Sequence, residues 1–201
     1  MTTFYLIRHT ERSGDPQQLA GRQPGVVLTD AGRAHAERIA HVLAQHPIAR
    51  VFCSPQERAQ QTAEPLARRR GLRAEVSRAI DEIDFGEWTG KTFSELALDK
   101  RWLCFNQDRG KTAAPRGESL AAVQVRFVEA LRLWRDMYPE NEIAVVSHAD
   151  PIKLALAHFS GLPLAEFDRF EIGLGSISMV EVDHRGGRVL RCNDSATTLA
   201  A

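Results

Sequence analysis

Three short apolar runs constrain this chain more than any other feature: Phe4-Tyr5-Leu6-Ile7, Arg50-Val51-Phe52-Cys53 and Ile143-Ala144-Val145-Val146. None alternates with polar residues, so each reads as a strand covered on both faces. A helix signal follows each of them. After the first run, a Gly/Pro/Asp/Gln-rich stretch from Ser13 to Gly25 reads as a long loop, and Thr29-Asp30-Ala31-Gly32 starts a helix that ends before Pro47. After the second, Ser54-Pro55-Gln56-Glu57 has the residues of a capping box, opening a helix with Ser54 as N-cap that runs to about Arg70 and stops at Gly71. After the third, a helix runs from Pro151 to Ser160. Strands alternating with helices predict a three-layer α/β/α sandwich with a mostly parallel central sheet.

The remaining segments fill in that frame. Ala74–Val76 is a short strand, and Leu120, Val123, Phe127, Leu131 and Trp134 share one face of a long helix beginning at Ser119. Ser176–Val182 and Arg188–Arg191 read as a hairpin joined through His184-Arg185-Gly186-Gly187. Residues 81–116 carry turn residues, Trp88 and Trp102 but no clean period, and read as an irregular cap with one short helix near Phe93–Trp102. At 201 residues the chain suits a single domain, 1–201, bearing that cap.

In open α/β sheets the working residues gather beyond the carboxyl ends of the strands. Here that rule selects Arg8, His9, Thr10 and Glu11 after the first strand, Arg58 at the start of the following helix, and Ser147, His148, Ala149 and Asp150 after the strand at 142–147. Converging arginines suit a phosphate, because each offers a fork of donors to its oxygens. A neutral, oriented histidine among them can attack phosphorus. Ordinary surface Arg-His and Ser-His pairs are the plainer reading of each place taken alone. Metal ligation by His9 and His148 lacks any H-x-x-x-H or carboxylate spacing.

Charge and cysteines bound the partners. Twenty-six basic residues balance twenty-six acidic ones, which argues against a nucleic-acid binder with a basic surface. No run approaches the eighteen or so apolar residues of a membrane span, and the amino terminus lacks the charged and apolar regions of a signal peptide. Cys53, Cys104 and Cys192 are odd in number and form no C-x-x-C pair, which fits a reduced, cytoplasmic setting. A homo-oligomer stays open.

Five blocks then carry a family resemblance. Leu6-Ile7-Arg8-His9-Thr10-Glu11 resembles the L-[VI]-R-H-G-E signature of the histidine phosphatase superfamily, which includes the cofactor-dependent phosphoglycerate mutases. Cys53–Ala63 is similar to its S-x-x-x-R-A-x-x-T-A block, and Asp81–Gly90 to its E-x-x-[FY]-G-x-[WL]-x-G block. Gly117-Glu118-Ser119 and Val145-Val146-Ser147-His148 are similar to the G-E-S and [SA]-H-G blocks, and all five fall in family order.

The resemblance implies a phosphoglycerate mutase-like fold and a phosphatase acting on a small phosphorylated metabolite without metal or other cofactor. By the same resemblance His9 is the phosphorylated nucleophile, Arg8, Arg58 and His148 hold the phosphoryl oxygens, and Glu82 is the proton donor. Arg22, in a loop resembling a G-R loop of some members, is placed to reach a distal anion, with a solvated loop arginine as the plain alternative. Thr10 and Ala149 replace glycines of the pattern, and Asp15 stands where many members have a phosphate-contacting Asn. Two other readings are carried. A mutase typically has an adjacent Arg pair between the Glu82 block and Gly117, which this interval lacks. A non-catalytic binding module would keep the fold without turnover.

Overall fold

A computed structural model describes residues 1–196. Its six strands are β1 (Thr2–Arg8), β2 (Ile48–Cys53), β3 (Ala74–Val76), β4 (Glu142–Ser147), β5 (Ile177–Asp183) and β6 (Gly186–Asp194), in the spatial order β3-β2-β4-β1-β5-β6. The first four pair in parallel; β5 runs antiparallel to β1, and β6 antiparallel to β5. The mostly parallel sheet anticipated from the apolar runs is present.

The period of two along β1 and β4 explains the layers. Phe4, Leu6, Ile143 and Val145 face one side, where α5 (Leu120–Met137) and α6 (Ala149–Phe159) cover them with Phe127, Leu131, Ile152 and Ala155. Tyr5, Ile7, Ala144 and Val146 face the other, against Ile39 and Leu43 of α1 (Asp30–Leu43) and Ala59, Ala63 and Leu66 of α2 (Glu57–Arg69). Thr29 caps α1 by accepting from the Gly32 amide, and Ser119 caps α5 by accepting from Ala122.

Local expectations needed correcting in two places. The capping box at Ser54 does not form: α2 begins at Glu57, Ser54 Oγ accepts only from the Gln56 amide at 3.3 Å on that side, and the Glu57 carboxylate turns to the Gly25 amide at 3.0 Å. Residues 81–116 hold two short helices rather than one, α3 (Phe93–Leu96) and α4 (Lys100–Gln107). The true capping box of the chain sits at α3, between Thr92 and Glu95. This region has its own apolar cluster, in which Ile83, Phe85, Trp88, Leu96 and Phe105 pack on Leu120 and Val123 of α5. Trp88 is fully buried, edge-on to Trp102, with its indole N–H donated to Asp99 Oδ2 at 3.0 Å. It is a core residue. No helix among the described residues is long and apolar enough to cross a membrane.

Candidate active site

Strands β1, β4 and β2 are neighbours, so their carboxyl ends bring His9, His148 and Ser54 to one edge of the sheet. The His9 and His148 rings lie 5.2 Å apart, edge to face. Arg8, His9, Arg58 and Glu82 line a cavity of about 670 Å³ roofed by the loop after His9 and by Phe85 and Phe93.

The tautomer of His9 follows from its partner. Its Nδ1 lies 2.8 Å from the Thr10 carbonyl oxygen, which can only accept, so Nδ1 carries the proton and Nε2 keeps a lone pair. Burial, then the charge of Arg58, push the imidazole down to about 3, with Arg8 and Arg12 adding to the shift. His9 is therefore neutral at any ordinary pH, the form a nucleophile needs.

His148 is held differently. Ser54 gives its single hydroxyl proton to Asp81 Oδ1 at 2.9 Å, so it accepts from His148 Nε2 at 2.8 Å. That leaves His148 Nδ1 buried, without a protein partner, 3.8 Å from Glu82 Oε2. Burial, with Arg58 next, holds His148 well below its ordinary value.

The arginines carry unspent donors. Arg8 gives Nη1 to the Ile172 carbonyl at 2.6 Å, and Arg58 gives Nη2 to the Gly21 carbonyl at 2.7 Å. Arg8 Nε and Arg58 Nε and Nη1 are buried with no protein partner. Arg58 is 1% exposed, so its charge is unusually deep for an arginine.

Glu82 sits opposite in character. Burial, followed by the nearby charge of Asp150, raises its carboxyl to about 7 against the opposing pull of Arg58 and Arg8. Its backbone is clamped: the carbonyl accepts from Arg22 Nε at 2.9 Å and Arg126 Nη2 at 3.0 Å. Glu118 joins these two arginines, taking Arg22 Nη2 at 2.8 Å and Arg126 Nη2 at 3.0 Å. Burial alone would raise the Glu118 carboxyl, yet the hydrogen bonds from Arg126 and the Asp84 amide hold it below its ordinary value.

Arg22 is placed otherwise than anticipated. Its guanidinium is held by Glu118, Asp81 at 3.2 Å and the Glu82 carbonyl, so it braces the loop bearing Glu82. Asp15 turns away from the cavity: it is exposed and accepts from the Gln17 amide at 2.8 Å. Thr10, in place of glycine, is buried with its hydroxyl donated to the Gly32 carbonyl at 2.9 Å.

Sequence reasoning passed over Ser54 as a site residue, because the same serine completes a plausible capping box. It also passed over Asp81, whose only signal was its place beside Glu82, and Arg12, which lines the cavity three residues after His9. Among the described residues, no cluster of three His, Cys, Asp or Glu is arranged to hold a metal ion.

Comparison with known proteins agrees with this geometry. The profile of the histidine phosphatase superfamily (branch 1) matches residues 4–195. An acid phosphatase of Mycobacterium tuberculosis is 32% identical over 188 residues, 89% of this chain and 86% of that protein. Phosphoserine phosphatase 1 of Hydrogenobacter thermophilus is 27% identical over 96% of this chain and 92% of its own length. The solved structure of Bacillus stearothermophilus YhfR superposes with a TM-score of 0.89 at 30% identity, covering 96% of this chain and 98% of that one. With two histidines and two arginines meeting where the matched blocks fall, the chain belongs to the histidine phosphatase superfamily, branch 1, among its phosphomonoester hydrolases.

Proposed function

We propose that this phosphomonoesterase hydrolyses small phosphorylated compounds through a phosphohistidine formed at His9. The observation that carries the reading is the set of buried guanidinium donors without protein partners: Arg8 Nε and Arg58 Nε and Nη1. A buried donor left unpaired costs about 1–3 kcal/mol, more when charged. The oxygens of one phosphoryl group satisfy them together and balance the two guanidinium charges.

His9 Nε2 attacks phosphorus in line; the N–P bond forms as the P–O bond to the alcohol breaks. The departing oxygen takes the proton of Glu82, which burial keeps on the carboxyl near neutral pH. The resulting carboxylate then takes a proton from the water that attacks the phosphohistidine, so His9 and Glu82 both return to their starting states. Arg8 and Arg58 bear the charge that develops on the transferred group. The Ser54 hydroxyl links His148 Nε2 to the Asp81 carboxylate, which fixes that ring beside His9.

Mutase chemistry is the competing reading, and it needs a second anion subsite. Four of the six cations between Asp84 and Gly117 are already paired, which favours hydrolysis: Arg101 with Asp99 and Glu87, Arg109 with Asp150, Lys111 with Asp108 and Arg116 with Glu87, leaving Lys91 and Lys100. The two exposed free thiols, Cys104 and Cys192, support a reducing, cytoplasmic setting.

The test is a denaturing, alkaline quench during turnover of p-nitrophenyl phosphate with a chelator present. An acid-labile phosphoenzyme is expected in the parent protein and is lost, with turnover, in His9→Ala. Substantial activity in His9→Ala overturns the mechanism.

A further inference from the structure

We propose that the outer part of the His9 cavity selects phosphomonoesters whose alcohol portion is apolar or aromatic and carries no second anion. The inference rests on the phosphatase reading and narrows its substrate class.

The cavity is divided by chemistry. The unpaired donors of Arg8 and Arg58, beside His9, define a phosphoryl end. The Arg12 guanidinium, held by the Ser13 carbonyl at 3.1 Å and the Gln18 carbonyl at 3.3 Å, stands between that end and the loop, and its charge is felt at Arg8, His9 and Arg58. The rest of about 670 Å³ has its apolar wall in Pro16, Leu19, Phe85, Phe93 and Leu174, with Ser13, Gln18 and Thr29 as its neutral polar groups. A pocket with polar groups at one end and apolar walls elsewhere orients its ligand by the first and gains affinity from the second.

The walls are built, since backbone hydrogen bonds hold them in place. Phe93 follows the Thr92 cap of α3, and its amide donates to the Gln17 carbonyl at 2.8 Å, tying the cap to the loop after His9. Leu174 lies between two anchors: the Gly175 amide donates to the carbonyls of Arg8 and His9 at 3.2 Å, and the Gly173 amide to Asn193 Oδ1 at 2.6 Å. Phe93 and Leu174 are nonetheless each 42% exposed. Apolar surface held open at a catalytic mouth is what an apolar alcohol portion would cover, at about 25 cal/mol for each Å² removed from water.

Charge at the mouth points the same way. The exposed Glu11 carboxylate lines the cavity. Arg22, the cation nearest in sequence to Gly21 on the cavity wall, is bound to Glu118 and Asp81. Beyond the reach of Arg12, a carboxylate or second phosphate on the alcohol portion would therefore meet apolar walls and a like charge.

The experiment compares kcat/KM for ethyl phosphate, benzyl phosphate and 4-carboxybenzyl phosphate, the last two having leaving alcohols of similar basicity. Benzyl phosphate is expected to exceed ethyl phosphate by about tenfold or more, the scale set by a few buried carbons. The added carboxylate is expected to return most of that gain. Phe93→Ser and Leu174→Ser each reduce the benzyl-to-ethyl ratio; both sites are exposed, and an unchanged melting temperature confirms the fold. A carboxybenzyl ester as good as the benzyl ester, or a ratio that neither variant moves, overturns the inference while leaving the phosphatase reading intact. Failure to hydrolyse any of the three, with no phosphoenzyme, overturns both.

Discussion

Burial drives His9 and Glu82 in opposite chemical directions, and the reaction uses both. Removing water disfavours the charged form of each, which makes the imidazole a free base and the carboxyl an acid. One consequence is measurable in pH. The first half-reaction needs protonated Glu82, so kcat/KM for an alkyl phosphate is expected to fall as pH rises through about 7. His9 is neutral far below that range and adds no limb there. Glu82→Gln should lose about a hundredfold or more on an alkyl phosphate, whose alkoxide needs the proton, and much less on p-nitrophenyl phosphate, whose phenolate does not. Equal losses on both esters would make Glu82 a positioning residue instead.

At the scale of elements, the catalytic carboxyl depends on how two loops interlock. A Cβ on Gly86 would stand 2.1 Å from the Pro115 carbonyl oxygen, and one on Gly117 would stand 2.2 Å from the Asp84 carbonyl oxygen. The Glu82 block and the Gly117-Glu118-Ser119 block thus touch backbone to backbone, with Glu118 riveting them through Arg22 and Arg126. Gly86→Ala adds that clash to the strain of its left-handed φ of 51°. It is expected to lower stability by about 1–3 kcal/mol, read from the urea midpoint, and to reduce kcat as Glu82 shifts. Gly71→Ala, also left-handed at 66° but in open space, should cost about 1 kcal/mol and leave kcat unchanged. Equal kcat in the two variants would show that the interlock does not position Glu82.

For the whole molecule, the site sets an acid limit on the fold. In the unfolded chain both histidines titrate near 6.5, whereas the fold holds His9 down to about 3 and His148 well below its ordinary value. Below pH 6.5 unfolding takes up protons, so stability falls as pH falls, by up to about 1.4 kcal/mol per pH unit for each histidine. Glu82 has the opposite sign: its contribution is complete below about 4.5 and is lost as pH rises through about 7. Two protons outweigh one, and urea midpoints should decline from pH 6.5 to 4.5. Glu82→Gln should steepen that decline by about one proton, and His9→Asn should flatten it by about one. Midpoints in which neither variant changes the slope would contradict the protonation states assigned to the site.

Much of this site could be read from local pattern alone. Helix starts at Thr29 and Ser119, the stop at Gly71 and the strand at 142–147 depend on neighbours in sequence, so caps and periods reveal them. The placement of Arg8, His9 and His148 at adjacent strand ends follows from those strands and the geometry of parallel sheets. The work of Ser54 was hidden because its local pattern satisfied a helix-cap rule: besides accepting from the nearby Gln56 amide, the same hydroxyl joins Asp81 and His148, 27 and 94 residues away. Arg22 was likewise turned from ligand to brace by Glu118, 96 residues distant. The chain by itself determined which residues stand at the carboxyl edge of the sheet. Their protonation, the donors left unpaired and the apolar walls of Phe93 and Leu174 were decided only by the tertiary structure. Burial and charge at a point are summed over every segment packed around it, and sequence spacing records none of those distances.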